Sequence, residues 1–251
     1  MPRFSILTPY YNHSQDRIDQ LERCIGSVAN QTFKDFEMIL IDDGSRMDWK
    51  PPEYPWLKVF HQEHLERLYA LNAAFKVATG EIICLLDSDD QYMSFYLECV
   101  DDMYKKFPDF KIFNFGSIHC HPNYEVRLRG AFKPAVKEVG HEFFGGGNIV
   151  KGTFVFKKEC ITPENGFVDG RLYPERTNPW DFSADAQKEF PELVAMYTIT
   201  NDVGNRVVRE IGNPMGDDFF LYYKLTRKLH SKPLDLYLYI ANHKGQRGLR
   251  V

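Results

Sequence analysis

The chain has 251 residues, of which 43% are hydrophobic and 26% are charged, and its formal net charge is −4. This composition is typical of a globular protein with a substantial core, and the weak negative charge argues against nucleic acid as a main partner. Every apolar run is shorter than the roughly 20 residues that a helix needs to cross a bilayer.

The first residues, Met1–Phe4, lead directly into a strand-like segment, whereas a signal peptide would begin with a longer apolar run. The five cysteines are odd in number and scattered, which indicates reduced thiols. We therefore expect a cytoplasmic location, or a soluble unit that a partner tethers to a membrane. Peripheral membrane association is compatible with this expectation.

The first segment predicts a strand, a helix and a second strand. Phe4–Leu7 is apolar and ends at a Thr-Pro-Tyr-Tyr-Asn loop, residues 8–12, where proline and asparagine break regular structure. Apolar residues then recur at helical spacing across Asp16–Asn30. The next strand, Phe36–Ile41, stops at an Asp-Asp-Gly-Ser loop, residues 42–45. A unit of this kind favours parallel pairing of its strands.

The same alternation of strands and helices continues to residue 115. The predicted elements are a strand near Lys58–His61, a helix with apolar residues between 68 and 78, a strand over Glu81–Leu86, a helix over Phe95–Phe107 and a strand over Phe110–Phe115. Gly80 is predicted to end its helix as a left-handed cap. The pattern as a whole predicts a doubly wound sheet.

Three polar loops follow the predicted parallel strands, at residues 8–12, 42–45 and 87–90. Because parallel strands place their carboxyl ends at one edge of the sheet, these loops are expected to form one site. The last loop reads Asp87-Ser88-Asp89-Asp90, and carboxylate oxygens suit Mg²⁺ or Mn²⁺. The residues alone leave a second interpretation open, in which these acids cap a helix or fill turns.

Past residue 116 the pattern changes to short β-like pieces, which include Glu125–Arg129 and Ile149–Lys157, with a glycine run at 145–147. Residues 170–215 read as an irregular insertion, with a hairpin predicted around Asn201–Asn205. Neither an internal repeat nor a low-complexity linker is present in the sequence.

A single domain over residues 1–251 fits this organisation better than two separable domains. We expect this domain to have two functional halves, at about 1–115 and at about 116–251.

Several ordered motifs between residues 5 and 90 resemble the family 2 glycosyltransferases. They are Ser-Ile-Leu-Thr-Pro-Tyr-Tyr-Asn at 5–12, Ser27–Phe33, Glu37–Ser45, and Ala78–Ile83 running into Asp87–Asp90. The resemblance implies an α/β fold of the GT-A type, in which a Rossmann-like, doubly wound and mostly parallel sheet carries a smaller mixed β region on the acceptor side.

The resemblance also implies a reaction and its site, with a nucleotide-sugar-binding half at about 1–115 and an acceptor-binding and catalytic-base half at about 116–251. A sugar would pass with inversion from a nucleotide diphosphate donor, a UDP-sugar ahead of a GDP- or dTDP-sugar, to a hydroxyl of a glycan or lipid-linked acceptor. Mn²⁺ or Mg²⁺ would be the cofactor. By analogy, Tyr11 would pack near the base with Thr8 close by, Asp43 would accept a hydrogen bond from the base, Asp87 would lie near the ribose or metal, and Asp89 would be the main metal ligand.

Two further residues come from looser motifs nearer the carboxyl terminus. Asp218, in Gly216–Leu221, matches the acid that serves the family as general base, although the same residue can simply cap a helix over Phe219–Leu229. His243 ends a Tyr-x-x-x-His segment that often supplies a metal or phosphate contact, although a lone histidine after a strand is also commonly structural.

The sequence departs from the family pattern where an Asn-x-Gly element commonly precedes the second helix, because His64–Arg67 stands there instead. A nucleotidyltransferase or dinucleotide enzyme is disfavoured, since no Gly-x-Gly-x-x-Gly follows the first strand. The remaining alternative is a non-catalytic module of the same fold that binds nucleotide or glycan. The sequence makes no prediction of oligomeric state.

Overall fold

The computed structural model describes residues 1–65, 67–121, 125–129, 153–161, 198–200, 206–208 and 231–242. Two predicted site residues, Asp218 and His243, lie outside the described residues, as does the helix predicted over Phe219–Leu229. The division of a single domain into two functional halves stays a prediction.

A block of four parallel strands forms the amino-terminal part of the sheet. Its elements are β1 (Phe4–Tyr10), α1 (Gln15–Ala29), β2 (Phe36–Asp43), β3 (Leu57–Gln62), α2 (Arg67–Val77) and β4 (Ile82–Leu85). The strands lie in the order β3-β2-β1-β4, and each neighbouring pair is parallel. This order confirms the predicted alternation of strands and helices.

A mixed region continues the sheet beyond β4. Its elements are β5 (Gln91–Tyr92), α3 (Tyr96–Lys106), β6 (Ile112–Cys120), β7 (Val126–Arg129), β8 (Phe154–Lys157), a short 3₁₀ helix (Lys158–Cys160), β9 (Thr198–Thr200), β10 (Arg206–Val208) and β11 (Ser231–Asn242). β8 lies antiparallel between β4 and β6, and β11 runs parallel to β6 on its other side. β9 and β10 pair with each other as antiparallel strands, which confirms the predicted hairpin. The predicted fold class is therefore confirmed.

Helices pack on both faces of the parallel block. The buried side chains of α1 recur at helical spacing and include Leu21 and Ile25, and they share one core with Phe4 and Ile6 of β1 and with α3. The next residue along β1, Leu7, alternates to the opposite face, where α2 packs against β1 and β2. Each buried aliphatic side chain of this kind stabilises the fold by about 1.5–3 kcal/mol.

The amino ends of the parallel strands hold a buried carboxylate, Glu37. Its Oε1 accepts hydrogen bonds from Ser5 Oγ at 2.6 Å and from Thr79 N and Oγ1 at 2.6 and 2.8 Å. Its Oε2 accepts from Lys58 Nζ at 2.6 Å. Burial alone would raise the pKa of Glu37, but the bonds from Lys58, Ser5 and Thr79 outweigh it and lower the pKa to about 2. The charged carboxylate thus ties together β1, β2, β3 and the connection before β4.

The prediction that Gly80 forms a left-handed cap is wrong. Among the glycines that the structure describes, a positive φ occurs at Gly44, whose φ is 72°. A Cβ atom on Gly80 would instead lie 2.5 Å from the backbone nitrogen of Ser5 and 2.6 Å from the carbonyl carbon of Phe4. The residue has no side chain because the backbone of β1 passes directly against it. Its own N–H donates to Ser5 Oγ at 2.8 Å.

Candidate functional site

A cleft of about 320 Å³ lies at the carboxyl ends of β1, β2 and β4. Its lining residues are Pro9, Tyr10, Tyr11, His13, Arg17, Asp43, His64, Arg67, Asp87, Ser88 and Asp89. The three polar loops therefore meet at one edge of the sheet, as their sequence predicts. Four of the predicted site residues share this cleft: Tyr11, Asp43, Asp87 and Asp89.

One side of the cleft is aromatic. The rings of Tyr11 and His64 stack with their centroids 4.4 Å apart and their planes at 27°, and the ring of His13 lies 6.0 Å from that of Tyr11. Tyr11 is partly buried, and 45% of the His64 side chain is exposed. The pair presents a flat apolar surface against which a planar ring can pack.

Asp43 lies beside this pair with 3% of its surface exposed. Its Oδ1 accepts hydrogen bonds from Gln62 Nε2 at 2.6 Å and from the backbone N–H of Leu65 at 2.9 Å. Its Oδ2 lies 2.9 Å from Nδ1 of His64. The contacts from β3 and from the loop before α2 fix the carboxylate at the wall of the cleft.

The neighbouring Asp42 has a different role. Its Oδ1 accepts a hydrogen bond from the backbone N–H of Ser45 at 2.9 Å, which closes the turn, and Gly44 supplies the positive φ that the turn requires. Asp42 forms the turn, and Asp43 faces the cleft.

The buried Asn12 joins the first two loops. Its Nδ2 donates to Tyr10 Oη at 2.9 Å and to the carbonyl of Met47 at 3.0 Å, and its Oδ1 accepts from Met47 N at 2.8 Å. Its backbone N–H donates to Ser45 Oγ at 3.0 Å. These bonds hold the aromatic loop and the acidic turn in a fixed relation.

Thr8 lies apart from the other predicted residues. It is fully buried within β1 and is not part of the cleft lining, which begins at Pro9. Its Oγ1 has no hydrogen-bond partner within the described part of the chain. Thr8 therefore lies below the floor of the cleft.

The cleft lining also includes two carboxylate–arginine pairs. Asp87 Oδ1 accepts two hydrogen bonds from Arg67, from Nε at 3.1 Å and from Nη2 at 2.8 Å. Asp89 Oδ2 accepts one hydrogen bond from Arg17 Nη1 at 3.2 Å. Each of the two carboxylates that the acidic loop contributes to the cleft lining is thus paired with an arginine from the first turn of a helix, Arg17 from α1 and Arg67 from α2.

Burial of Asp89 raises the pKa of its carboxyl, and the nearby charge of Asp87 raises it further, against the opposing effect of Arg17. A carboxylate whose charged form is disfavoured in this way gains from a cation that comes close to it. The electrostatics of the loop therefore favour binding of positive charge at Asp89.

Asp90, the third acid of the loop, points away from the cleft lining. Its Oδ2 accepts a hydrogen bond from Tyr239 Oη at 2.5 Å, and its Oδ1 accepts from the backbone N–H of Asn242 at 2.7 Å. Asn242 Nδ2 also donates to the carbonyl of Asp89 at 3.0 Å. None of these contacts is a helix cap, since α3 begins at Tyr96 with Phe95 before it. Asp90 anchors the end of β11 to the acidic loop.

The residues of the cleft fit a divalent cation that binds together with a phosphate ligand. Among the described residues, no group of three His, Cys, Asp or Glu side chains is arranged to hold a metal ion alone. Asp87 and Asp89 offer two carboxylates at the cleft wall, and Mg²⁺ commonly binds through one or two carboxylates plus substrate phosphates.

Sequence reasoning missed Arg17, His64 and Arg67. A signal was present for both arginines, because each lies in the first turn of a helix, where the positive end of the helix dipole disfavours a cation. A basic residue in the first turn of a helix, after a polar loop at the carboxyl end of a strand, indicates that an acidic group nearby stabilises its charge. His64 stands where the sequence departs from the family pattern.

Among the helices that the structure describes, none is long and apolar enough to cross a membrane.

The parallel α/β sheet with a polar cleft at the carboxyl ends of its strands, and with a mixed β region beside it, agrees with the GT-A class of fold that the sequence motifs imply. The structure matches that of S. aureus TarS 1-349 in complex with UDP with a TM-score of 0.57 at 16% sequence identity, covering 96% of this chain and 60% of that one. At this identity the likeness concerns the fold.

The sequence matches the family described as Glycosyl transferase family 2 over residues 5–159. The chain therefore belongs to glycosyltransferase family 2, which confirms the resemblance seen in its motifs.

Two curated relatives match the same share of the chain, 65%. An uncharacterized glycosyltransferase of Rickettsia felis is 30% identical over 183 residues, and the cholesterol galactosyltransferase of Borreliella burgdorferi is 27% identical over 184 residues. The matches cover 28% of the Rickettsia protein and 50% of the Borreliella protein. The chain thus spans half or less of the length of these relatives.

Proposed function

We propose that the protein is a metal-dependent, inverting glycosyltransferase. It would move a sugar from a nucleotide diphosphate donor, a UDP-sugar first, to a hydroxyl of a glycan or lipid-linked acceptor. One observation carries the proposal: the lining of one cleft brings together the aromatic ring of Tyr11, the carboxylate of Asp43 and the acidic loop at Asp87 and Asp89. The galactosyltransferase name of one relative and the UDP bound by the structural neighbour support it.

The aromatic side of the cleft is the proposed site of the nucleotide base. Tyr11 packs against the base, and the Asp43 carboxylate accepts a hydrogen bond from it. Gln62 and Leu65 already hold the Asp43 side chain in place, so little further conformational entropy is lost when the base binds. Thr8 supports this wall from below, within β1.

The acidic loop is the proposed site of the ribose and diphosphate. Asp87 lies near the ribose or the cation, and Asp89 is the main carboxylate ligand of Mn²⁺ or Mg²⁺. When bound, such a cation neutralises the charge that develops on the leaving diphosphate. We propose His243 as a further ligand, because Asn242, directly before it, donates a hydrogen bond to the carbonyl of Asp89 at 3.0 Å.

The acceptor hydroxyl loses its proton as it attacks the anomeric carbon. A carboxylate on the face opposite the leaving diphosphate performs this step, and we propose Asp218 as that general base. Direct displacement from the opposite face inverts the anomeric configuration. A cytoplasmic location with peripheral membrane contact stays a prediction from the sequence.

The proposal is tested by thermal unfolding of the protein with UDP, GDP and dTDP, each with Mn²⁺ and with EDTA. A ligand that binds only the folded state at 100 times its Kd stabilises the protein by about 2.7 kcal/mol. We expect a Mn²⁺-dependent rise in Tm with UDP, followed by release of UDP from a UDP-sugar when an acceptor is added. Equal effects with EDTA would contradict metal dependence, and binding without turnover would favour the non-catalytic module.

A further inference from the structure

Arg17 and Arg67 each pair with one of the two carboxylates, Asp89 and Asp87, that the acidic loop contributes to the cleft, but the two contacts differ in strength. Arg67 places two N–H groups on a single oxygen of Asp87, at 3.1 and 2.8 Å. Arg17 places one N–H on Asp89, at the longer distance of 3.2 Å, and its side chain is 34% exposed. Because the single and longer contact is the weaker one, Arg17 is the arginine that a competing cation would displace first.

Arg17 is also held at a position that its own helix disfavours. It lies in the first turn of α1, where the helix dipole is positive. The negative charge of Asp89, together with that of Asp87 close by, offsets this unfavourable position. If a divalent cation neutralises the charges of Asp87 and Asp89, the attraction that holds Arg17 at Asp89 is lost.

The displaced guanidinium has a new partner within the same cleft. Arg17 is part of the cleft lining together with Asp87 and Asp89, so a diphosphate bound at these carboxylates lies within reach of its side chain. Guanidinium groups bind phosphate oxygens through charge-assisted hydrogen bonds. The phosphate oxygens of a nucleoside diphosphate therefore replace Asp89 as the hydrogen-bond acceptor for Arg17.

We propose that Arg17 is a displaceable counter-ion of Asp89, which the divalent cation releases and the diphosphate of the donor then captures. This inference rests on the proposed metal-dependent function. Arg17 then couples the binding of the two ligands. It lowers the affinity for the cation while the diphosphate is absent, and this effect is relieved when the diphosphate is present. Arg67 keeps its two-bond contact and positions Asp87 throughout.

Mn²⁺ binding measured by electron paramagnetic resonance, with and without UDP, tests this inference. The variants are Arg17→Gln, which removes the charge, and Arg23→Gln, a matched control on the exposed face of α1. Without UDP we expect Arg17→Gln to bind Mn²⁺ about 5- to 150-fold more tightly than the wild type, the range typical of coupled sites. With saturating Mn²⁺ we expect it to bind UDP about tenfold more weakly, since a charge-assisted contact is lost. Arg23→Gln should match the wild type in both titrations.

A second variant, Arg17→Lys, keeps the charge and should restore most of the wild-type opposition to Mn²⁺. The inference is overturned if the wild type binds Mn²⁺ and Arg17→Gln binds it with the same or lower affinity in the absence of UDP. A wild type that binds no Mn²⁺, with or without UDP, contradicts the proposed metal dependence itself and removes the inference with it. Tm values of the variants without ligand distinguish either result from a folding defect.

Discussion

Glu37, at the amino ends of the parallel strands, and Asp89, at their carboxyl ends, are both largely buried carboxylates, yet their pKa values shift in opposite directions. Around Glu37, hydrogen bonds from Ser5, Lys58 and Thr79 outweigh burial and lower the pKa to about 2. Around Asp89, burial and the charge of a neighbouring carboxylate outweigh a single bond from an arginine and raise the pKa.

The difference shows how one sheet separates stability from chemistry. At the amino ends, protein donors already stabilise the buried charge of Glu37, so a bound cation would gain little there. The carboxyl ends gather like charges with too few donors, so a ligand of opposite charge is favoured there. Four predictions test this contrast.

The largest effect is expected from Asp89→Asn. This change removes the carboxylate that we propose as the main metal ligand, and loss of one preorganised electrostatic contact typically lowers kcat by about 10²–10³-fold. Because a buried charge with a raised pKa is removed, we expect the Tm to stay the same or to rise. Turnover of a UDP-sugar and thermal unfolding measure the two quantities. Asp102→Asn, whose side chain is 64% exposed on α3, is the matched control.

At the other end of the sheet, Glu37→Ala is expected to act on stability alone. It leaves the buried Ser5 and Thr79 donors without their acceptor, which costs about 2–3 kcal/mol, less than a fully buried ion pair because Lys58 is half exposed. Urea unfolding measures the loss, with the exposed Glu53→Ala as control. A loss below that of the control would show that the network is not stabilising. Turnover per folded molecule should remain that of the wild type.

The pH dependence of stability provides a sharper test of the same network. The folded pKa of Glu37, about 2, lies below its ordinary value of 4.5. Its contribution is therefore complete above pH 4.5 and is lost as the pH falls from 4.5 towards 2. We expect the gap in unfolding free energy between the wild type and Glu37→Gln to narrow over this range. The other carboxyl groups titrate in the same way in both proteins and do not change this difference. A difference in unfolding free energy that stays constant with pH would therefore contradict the lowered pKa of Glu37.

The smallest effects come from two glycines. Gly80→Ala places a Cβ 2.5 Å from the backbone of Ser5 and should destabilise the protein by about 1–3 kcal/mol, a typical overpacking cost. Gly26→Ala, in the interior of α1 with no atom within 4 Å of the new Cβ, should stabilise it by about 0.5–1 kcal/mol. Urea unfolding of both variants checks the pair, and a stable Gly80→Ala protein would refute the close approach to β1.

The elements that the sequence predicts well are those with a local signal. The alternating apolar strands and helices up to β6, and the meeting of three loops at one edge, follow from periodicity and from the geometry of parallel sheets. The role of Gly80 was wrongly predicted because its lack of a side chain is required by the nearby backbone of β1, a segment 75 residues away. A local sequence pattern cannot show such a contact.

The site shows the same division. Tyr11, Asp43, Asp87 and Asp89 stand in recognisable loops, and the structure places all four in the cleft. The contact of Arg17 with Asp89 joins residues 72 positions apart, so the sequence carries only the indirect signal of a cation at a helix amino terminus. Asp218, outside the described residues, stays a prediction.

The bonds that Asp90 makes with Tyr239 and Asn242 have a consequence for biosynthesis. They join residues 149 and 152 positions apart, so the acidic loop leaves the ribosome long before the strand that anchors it. Contacts of such sequence separation form late and slow folding. A nascent chain therefore holds its parallel block well before the loop has its anchor, and a chain cut short before β11 would keep the first strands but lack the support of Asp90. The order of synthesis thus delays assembly of the cleft until β11 has been made.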